Sequence, residues 1–296
     1  MKTTAGAWVE RCIRRTAVNI RSINLRNIRL ETTEKQMDRV KDKTCIVTGA
    51  ARGMGHAIGM ALMREGANVV FADIDENICQ VAAEATKEGG SAHGIQVDIR
   101  DRQQVQAMVD ETVKKFGKLD VKFNNAGMNK PMNFMDVTED NWNSIMRLNG
   151  LGVLIGIQES ARQMIKQGGG GKIINTASIA SRQGFDNVAP YCASKFAVVS
   201  LTQSAARALS GDNITVNGFA PGVVNTPLWE QLDLDLMEIG ASERPGQAME
   251  EFSANILKGR VATPDDITGT AMYLASSDSD YMTGQIVMID GGMTLV

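Results

Sequence analysis

The chain has 296 residues, 43% of them apolar and 22% charged, which supplies material for a sizeable core and excludes a disordered or collagen-like chain. No apolar run approaches the roughly 20 residues that span a bilayer, the longest being 151–157 with glycines inside it, so an integral membrane protein is excluded. The net charge of −3 divides unevenly: residues 1–36 hold eight Lys or Arg against three Asp or Glu, leaving residues 37–296 at −8, and that acidic body lacks the basic face nucleic acid requires.

Residues 1–36 differ in kind from the rest of the chain. Arg11, Arg14, Arg15, Arg21, Arg26 and Arg29 are scattered among single aliphatics with little glycine. An Arg-rich, acid-poor leader suits a targeting presequence, but Ser22 is its one serine. The expectation is a basic extension, disordered or translated ahead of a natural start at Met37, outside the domain formed by 37–296. From Lys43 short apolar runs alternate with longer amphipathic stretches, the pattern of repeated β-α units and a parallel sheet. Strands are predicted at Thr44–Thr48, Asn68–Asp73, Ala92–Asp98, Asp120–Asn124, Lys172–Thr176, Ile214–Phe219 and Gln285–Ile289. Between them lie segments with readable helix starts: Asp101 ahead of Arg102–Phe116, Thr138-Glu139-Asp140 ahead of a long helix, and Thr263-Pro264-Asp265-Asp266 with proline in the first helical position. No linker or repeat interrupts 37–296, which read as one doubly wound α/β domain.

The first predicted strand runs into Thr48-Gly49-Ala50-Ala51-Arg52-Gly53-Met54-Gly55, with a helix expected from about His56. Glycines there let backbone approach a pyrophosphate, and a helix N-terminus offers it free N–H groups and a positive dipole end. The stretch lacks the Lys-Ser/Thr of a P-loop. The second strand ends at Asp73, 24 residues after Gly49, where a dinucleotide fold places a carboxylate on the ribose hydroxyls, with Ile74 next to it. A carboxylate there repels a 2′-phosphate and argues for NAD over NADP; Arg52, able to neutralise such a phosphate, is the weaker signal.

His56 and His93 lie far apart, and Cys12, Cys45, Cys79 and Cys192 show no close pairing, so neither a metal site nor a disulfide framework is expected. Acid-base chemistry then falls to Tyr, Lys or carboxylates. Tyr191 and Lys195 are four apart in a predicted helix, on one face and one turn from each other. A cation beside a phenol favours the phenolate and lowers the tyrosine pKa toward neutrality. Ser178, at the end of the strand-like run 172–177, brings its hydroxyl toward the same point.

Together these residues resemble the short-chain dehydrogenase/reductase family, over essentially all of 40–296. The matching motifs are Thr48-Gly49-x-x-x-Gly53-x-Gly55, Asp98, Asn124-Asn125-Ala126-Gly127, Asn149, Ser178, Tyr191-x-x-x-Lys195, Pro221-Gly222 and Asp290-Gly291-Gly292. The resemblance implies a Rossmann-type domain with a seven-stranded parallel sheet flanked by helices, a homotetramer and a cytoplasmic enzyme. It makes Tyr191 the acid/base, with Lys195 lowering its pKa while binding the nicotinamide ribose. Ser178 would hold the substrate oxygen, and Asn149 a water linking Lys195 to solvent. It places Asp98 and Ile99 at adenine, Asn125, Ala126 and Gly127 along the adenosine side, and Pro221, Gly222, Val224 and Thr226 near the carboxamide. Two departures stand out. Met54 replaces the usual Ile or Leu, and Gly150 loosens the helix beside Asn149.

Specificity is expected after Ser178 and in the loop from Pro221 to about Gly259, with Gln183, Asn187 and Trp229 lining the pocket beside Ser178 and Tyr191. The carboxylates Glu230, Asp233, Asp235 and Glu238 read mostly as the solvated face of an amphipathic helix. Local motifs resemble NAD-dependent polyol dehydrogenases of the sorbitol and galactitol type, and also acetoin/2,3-butanediol dehydrogenases. Both imply a small polar secondary alcohol or its ketone and a polar lining. A 3-oxoacyl thioester reductase is a more distant reading, and an NAD-binding scaffold would have lost Tyr, Lys or Ser, all of which are present.

Overall fold

The computed structural model describes residues 38–295; the extension expected at 1–36 lies outside them. Two unbroken apolar runs, each ahead of a sharp turn, form strands β1 (Thr44–Thr48) and β2 (Asn68–Asp73) with the predicted bounds. The others are β3 (Ser91–Gln96), β4 (Val121–Asn124), β5 (Gly171–Thr176), β6 (Ile214–Pro221) and β7 (Ile286–Ile289). β3 stops before the predicted Asp98 because Val97 donates its N–H to the Asp73 carbonyl (2.7 Å) and Asp98 turns into a side-chain cluster. The strands form one parallel sheet in the order β3-β2-β1-β4-β5-β6-β7. Chain direction across the sheet reverses between β1 and β4, and a crevice opens at their carboxyl ends, where open α/β sheets take their ligands.

Helices cover both faces, because successive strand residues point to opposite sides. On one face Val47 and Phe71 pack with Ile58 and Leu62 of α1 (Gly53–Arg64), beside α2 (Ile78–Lys87). On the other, Ile46 and Val70 share a cluster with Met108 of α3 (Arg102–Phe116). α3 starts as predicted, with Asp101 accepting the Gln103 N–H at 2.8 Å. α1 begins at Gly53, three residues before the expected start, despite the low helix propensity of Gly53 and Gly55 in its first turn.

Thr138 caps α4 (Glu139–Met146) through the Asn141 N–H at 3.1 Å. The long helix expected there is interrupted. A π turn over Arg147–Leu151, centred on Asn149 and Gly150, separates α4 from α5 (Gly152–Gln167). α6 (Ala189–Leu209) carries Tyr191 and Lys195 in its first turns. After β6, the loop expected to set specificity holds α7 (Pro227–Glu238) and α8 (Gln247–Ser253). α9 (Asp265–Ala275) starts one residue after Pro264, which already has helical dihedral angles. None of the described helices is long and apolar enough to cross a membrane.

Candidate active site

The crevice beside the glycine turn encloses about 500 Å³. Gly49 sits at φ +67°, where a Cβ would come within 2.8 Å of the Ala126 Cα, and a Cβ on Gly55 would collide with the Gly49 carbonyl. The turn therefore closes only with glycine at both positions. Arg52 precedes α1 in an extended conformation and does not cap it, and no acid stands in its first turn, so its N–H groups suit a phosphate. Gly49, Arg52, Gly53, Met54 and Gly55 line the cleft with Asp73, Ile74, Asp98, Ile99, Asn125, Ala126 and Gly127. Asp73 is fixed by the turn itself, accepting the Ala51 N–H at 2.9 Å and the Asp75 N–H at 3.1 Å. These groups fit a dinucleotide.

Two residues of the cleft are also engaged by protein groups. Asp98 is held by Arg100, whose Nε and Nη2 reach its carboxylate at 2.8 and 2.7 Å and keep its pKa below the usual carboxylate range. Arg100 lines the same cleft, and sequence reading did not single it out. Asn125 braces the strand ends: its Nδ2 donates to the Thr48 carbonyl (2.9 Å), and its Oδ1 accepts the Thr176 hydroxyl (3.3 Å).

Deeper in, Pro221, Gly222, Val224 and Thr226 surround a hollow shared with Gly127, Ser178, Tyr191 and Lys195. Lys195 donates to the Thr176 carbonyl at 2.8 Å and lies 5.5 Å from the Tyr191 ring centroid, over the ring. Loss of solvent dominates both groups. It lowers the ammonium to about 8 and pushes the phenol up to about 12, against a hydrogen bond from Ser178 that lowers it. Burial thus acts on the phenol in the direction opposite to the lowering that the Tyr191–Lys195 spacing suggests. Ser178 follows β5, and its Oγ accepts the Ala180 N–H at 3.2 Å.

The π turn aims Asn149 inward, where its Oδ1 accepts the Met128 N–H (2.9 Å) and its Nδ2 donates to the Met128 carbonyl (2.8 Å) and the Ser194 hydroxyl (3.1 Å). Both amide hydrogens are committed. The side chain clamps a loop. It stays close to Lys195, since a Cβ on Gly127 would stand 3.3 Å from its Oδ1 and 3.7 Å from the Lys195 Nζ.

Ser178 and Tyr191 also open onto a second cavity of about 100 Å³. Asn187 and Trp229 line it, whereas Gln183 faces a neighbouring hollow with Glu251 and Asn255. The expected polar lining is also corrected. Leu228, Trp229, Leu232, Leu236, Phe185 and Phe252 form mostly apolar walls, with Trp229 and Phe185 each 5.5 Å from Phe252 between ring centroids. The chain folds this way because Trp229, Leu232 and Leu236 share one face of α7, a spacing visible in the sequence. Asp233 departs from the solvated acidic face, being buried and accepting the Gly246 N–H (2.5 Å) and Ala248 N–H (3.3 Å) at the start of α8. Asn129, also in the cavity, carried no sequence signal.

Residues 49–294 match the family model described as enoyl-(acyl carrier protein) reductase. The diacetyl reductase [(S)-acetoin forming] of Staphylococcus epidermidis is 38% identical over 252 residues, covering 85% of this chain and 98% of its own. Galactitol 2-dehydrogenase of Agrobacterium fabrum is 39% identical over 254 residues, covering 86% and 98%. Among solved structures, a protein from Beutenbergia cavernae described as an NAD(P)-dependent gluconate 5-dehydrogenase, with NADP bound at low occupancy, superposes with a TM-score of 0.77 at 32% identity, covering 86% of this chain and 98% of that one.

Proposed function

The chain belongs to the short-chain dehydrogenase/reductase family of oxidoreductases, and from that premise we propose that it interconverts a small secondary alcohol and its ketone with NAD. The observation that carries this reading is that Ser178 and Tyr191 belong both to the hollow continuous with the glycine-turn residues and to the cavity under Trp229. A carbinol there meets a proton carrier on one side and the cofactor on the other.

When bound, the nicotinamide accepts or supplies the hydride. The protein's own groups handle the proton and the geometry. In oxidation the ionised Tyr191 oxygen takes the hydroxyl proton as the C–H bond breaks; in reduction the Tyr191 phenol returns a proton to the carbonyl oxygen, which the Ser178 hydroxyl holds. Lys195 orients the cofactor ribose, and Asn149 secures the loop beside it. Asp73, fixed by two backbone N–H groups, supports NAD over NADP; Arg52, lining the same cleft, is the feature that opposes it.

Size and lining favour the shorter substrate. The cavity of about 100 Å³ is a small one, next to the cleft of about 500 Å³. Its apolar walls suit methyl groups. The second reading, a polyol, rests on likeness to the galactitol enzyme. The catalytic domain is taken as 37–296. Free Cys45, Cys79 and Cys192 suit a reducing, cytoplasmic setting, and half-exposed Leu151 and Phe196 suit burial between subunits of a homotetramer.

The test is NAD(P)H formation against 2,3-butanediol, sorbitol, galactitol and a 3-hydroxyacyl thioester. Highest kcat/KM for the butanediol with NAD is expected. Preference for the thioester with NADP would defeat the proposal, and preference for a hexitol would select the second reading.

A further inference from the structure

Strand order decides which part of a dinucleotide reaches which part of the cleft. The glycine turn leaves β1 and suits the pyrophosphate, and Asp73 ends the neighbouring β2, where such folds hold the ribose hydroxyls. β3 is the next strand outward. The base therefore falls beyond the end of β3, at Asp98, Ile99 and Arg100, all of which line the cleft.

Two of these side chains form one unit. The Asp98 Oδ1 accepts the Arg100 backbone N–H at 2.9 Å and its Nε at 2.8 Å, while Oδ2 accepts the Arg100 Nη2 at 2.7 Å and shares the Nε at 3.0 Å. The backbone of Asp98 is pinned as well, its N–H donating to the Gln104 side chain at 2.9 Å. A carboxylate offers about four acceptor positions, so three donors leave one of them open. The pair is reachable from the cleft, the Asp98 side chain being 25% exposed and that of Arg100 39%. An ion pair this exposed adds little to stability, so its consequence lies in what it orients. Arg100 also cancels the charge that Asp98 would otherwise turn on an anionic dinucleotide.

We propose that Arg100 is a positioning residue for recognition of the cofactor base, holding Asp98 as a fixed single acceptor for the exocyclic amino group of adenine. This rests on the dinucleotide reading above and is indifferent to the choice between NAD and NADP. An amino group is a donor and meets that acceptor. Hypoxanthine, the deaminated base, presents a carbonyl oxygen at the same place, and a fixed carboxylate repels it. A carboxylate free to swing would turn away from that carbonyl, so the discrimination depends on the clasp. The planar fork of arginine holds both oxygens at once, which a lysine does not do.

The experiment measures, by calorimetry on the full-length protein, the binding of NADH and of its hypoxanthine analogue, with the 2′-phosphorylated pair alongside. The wild type is expected to bind the adenine form about ten- to a hundredfold more tightly, as one hydrogen bond to a charged group allows. Arg100→Met should cut that preference by at least about threefold, and Arg100→Lys, which keeps the charge without the fork, should restore only part of it. Asp98→Asn should narrow or invert the preference, because an amide can turn its NH2 toward the carbonyl. Equal weakening of both forms by Arg100→Met, or full retention of the preference by Arg100→Lys, would reduce Arg100 to a balancing charge. A wild type without preference would show that Asp98 does not read the base; each of these overturns the assignment alone. A wild type that binds none of the dinucleotides would overturn the cofactor reading and this assignment together.

Discussion

Tyr191 is partly buried, and removing its phenol from water pushes its pKa up to about 12 even with Lys195 one helical turn away. The consequence is directional. Below that value the phenol is protonated and ready to donate to a carbonyl, whereas oxidation needs the ionised form, whose population grows with pH. Oxidation kcat/KM is therefore expected to rise with pH from 6 to 10, by up to about tenfold per unit, while reduction stays nearly flat. Oxidation already level above pH 7 would instead show the lysine lowering the phenol, as the spacing alone suggests. Spacing made Ser178, Tyr191 and Lys195 legible because it encodes a shared helix face and a strand end. It encodes neither desolvation nor which side chain clasps Asp98, so the energetic order of Tyr191 and Lys195 and the Arg100 clasp emerged only with the fold.

Elements with strong local signals formed as read. β1 and β2 are continuous apolar runs closed by turns, and α3 has an aspartate cap. Where tertiary contacts decide, the sequence was silent or misleading. The π turn at Arg147–Leu151 is one such place, although Gly150 marked its position. Asp233 is another: Glu230 and Glu238 on the same helix are exposed as expected, but Asp233 is turned inward to satisfy two N–H groups of α8. Those bonds tie α7 to α8 and so hold the walls bearing Trp229, Leu232 and Phe252. Asp233→Ala is expected to cost about 1–2 kcal/mol, as loss of a helix cap does, and to raise KM several-fold with a smaller change in kcat. Urea unfolding and steady-state kinetics on one preparation check both; an unchanged KM would detach this contact from the cavity.

Across the whole molecule, alternation of β and α segments announced the parallel sheet, but strand order depends on crossovers that periodicity does not reveal; it is visible only in the structure. The sheet also buries an unexpected charge. The Lys122 Nζ on β4 has no hydrogen-bond partner among the described residues, and desolvation lowers its pKa to about 7. An unfolded lysine titrates near 10.4, so between about pH 7 and 10 the unfolded chain binds more protons and stability rises with pH. Below pH 7 both states are charged and the folded state bears the full penalty. Lys122→Met should thus stabilise the protein by roughly 1–4 kcal/mol at pH 6, with the gain shrinking toward pH 10. Equal stability of the two proteins at pH 6 would mean the ammonium is solvated.

The proposed function turns on one proton carrier, Tyr191, standing between an NAD cleft and a small alcohol cavity. Its most direct test measures NADH formation from 2,3-butanediol by wild type and Tyr191→Phe, alongside NAD binding by each. NAD turnover is expected to fall by about 10²–10⁴-fold in the Phe variant with NAD affinity nearly unchanged. A Tyr191→Phe protein that keeps its rate, or a wild type that binds NAD yet oxidises none of the alcohols proposed, would contradict it.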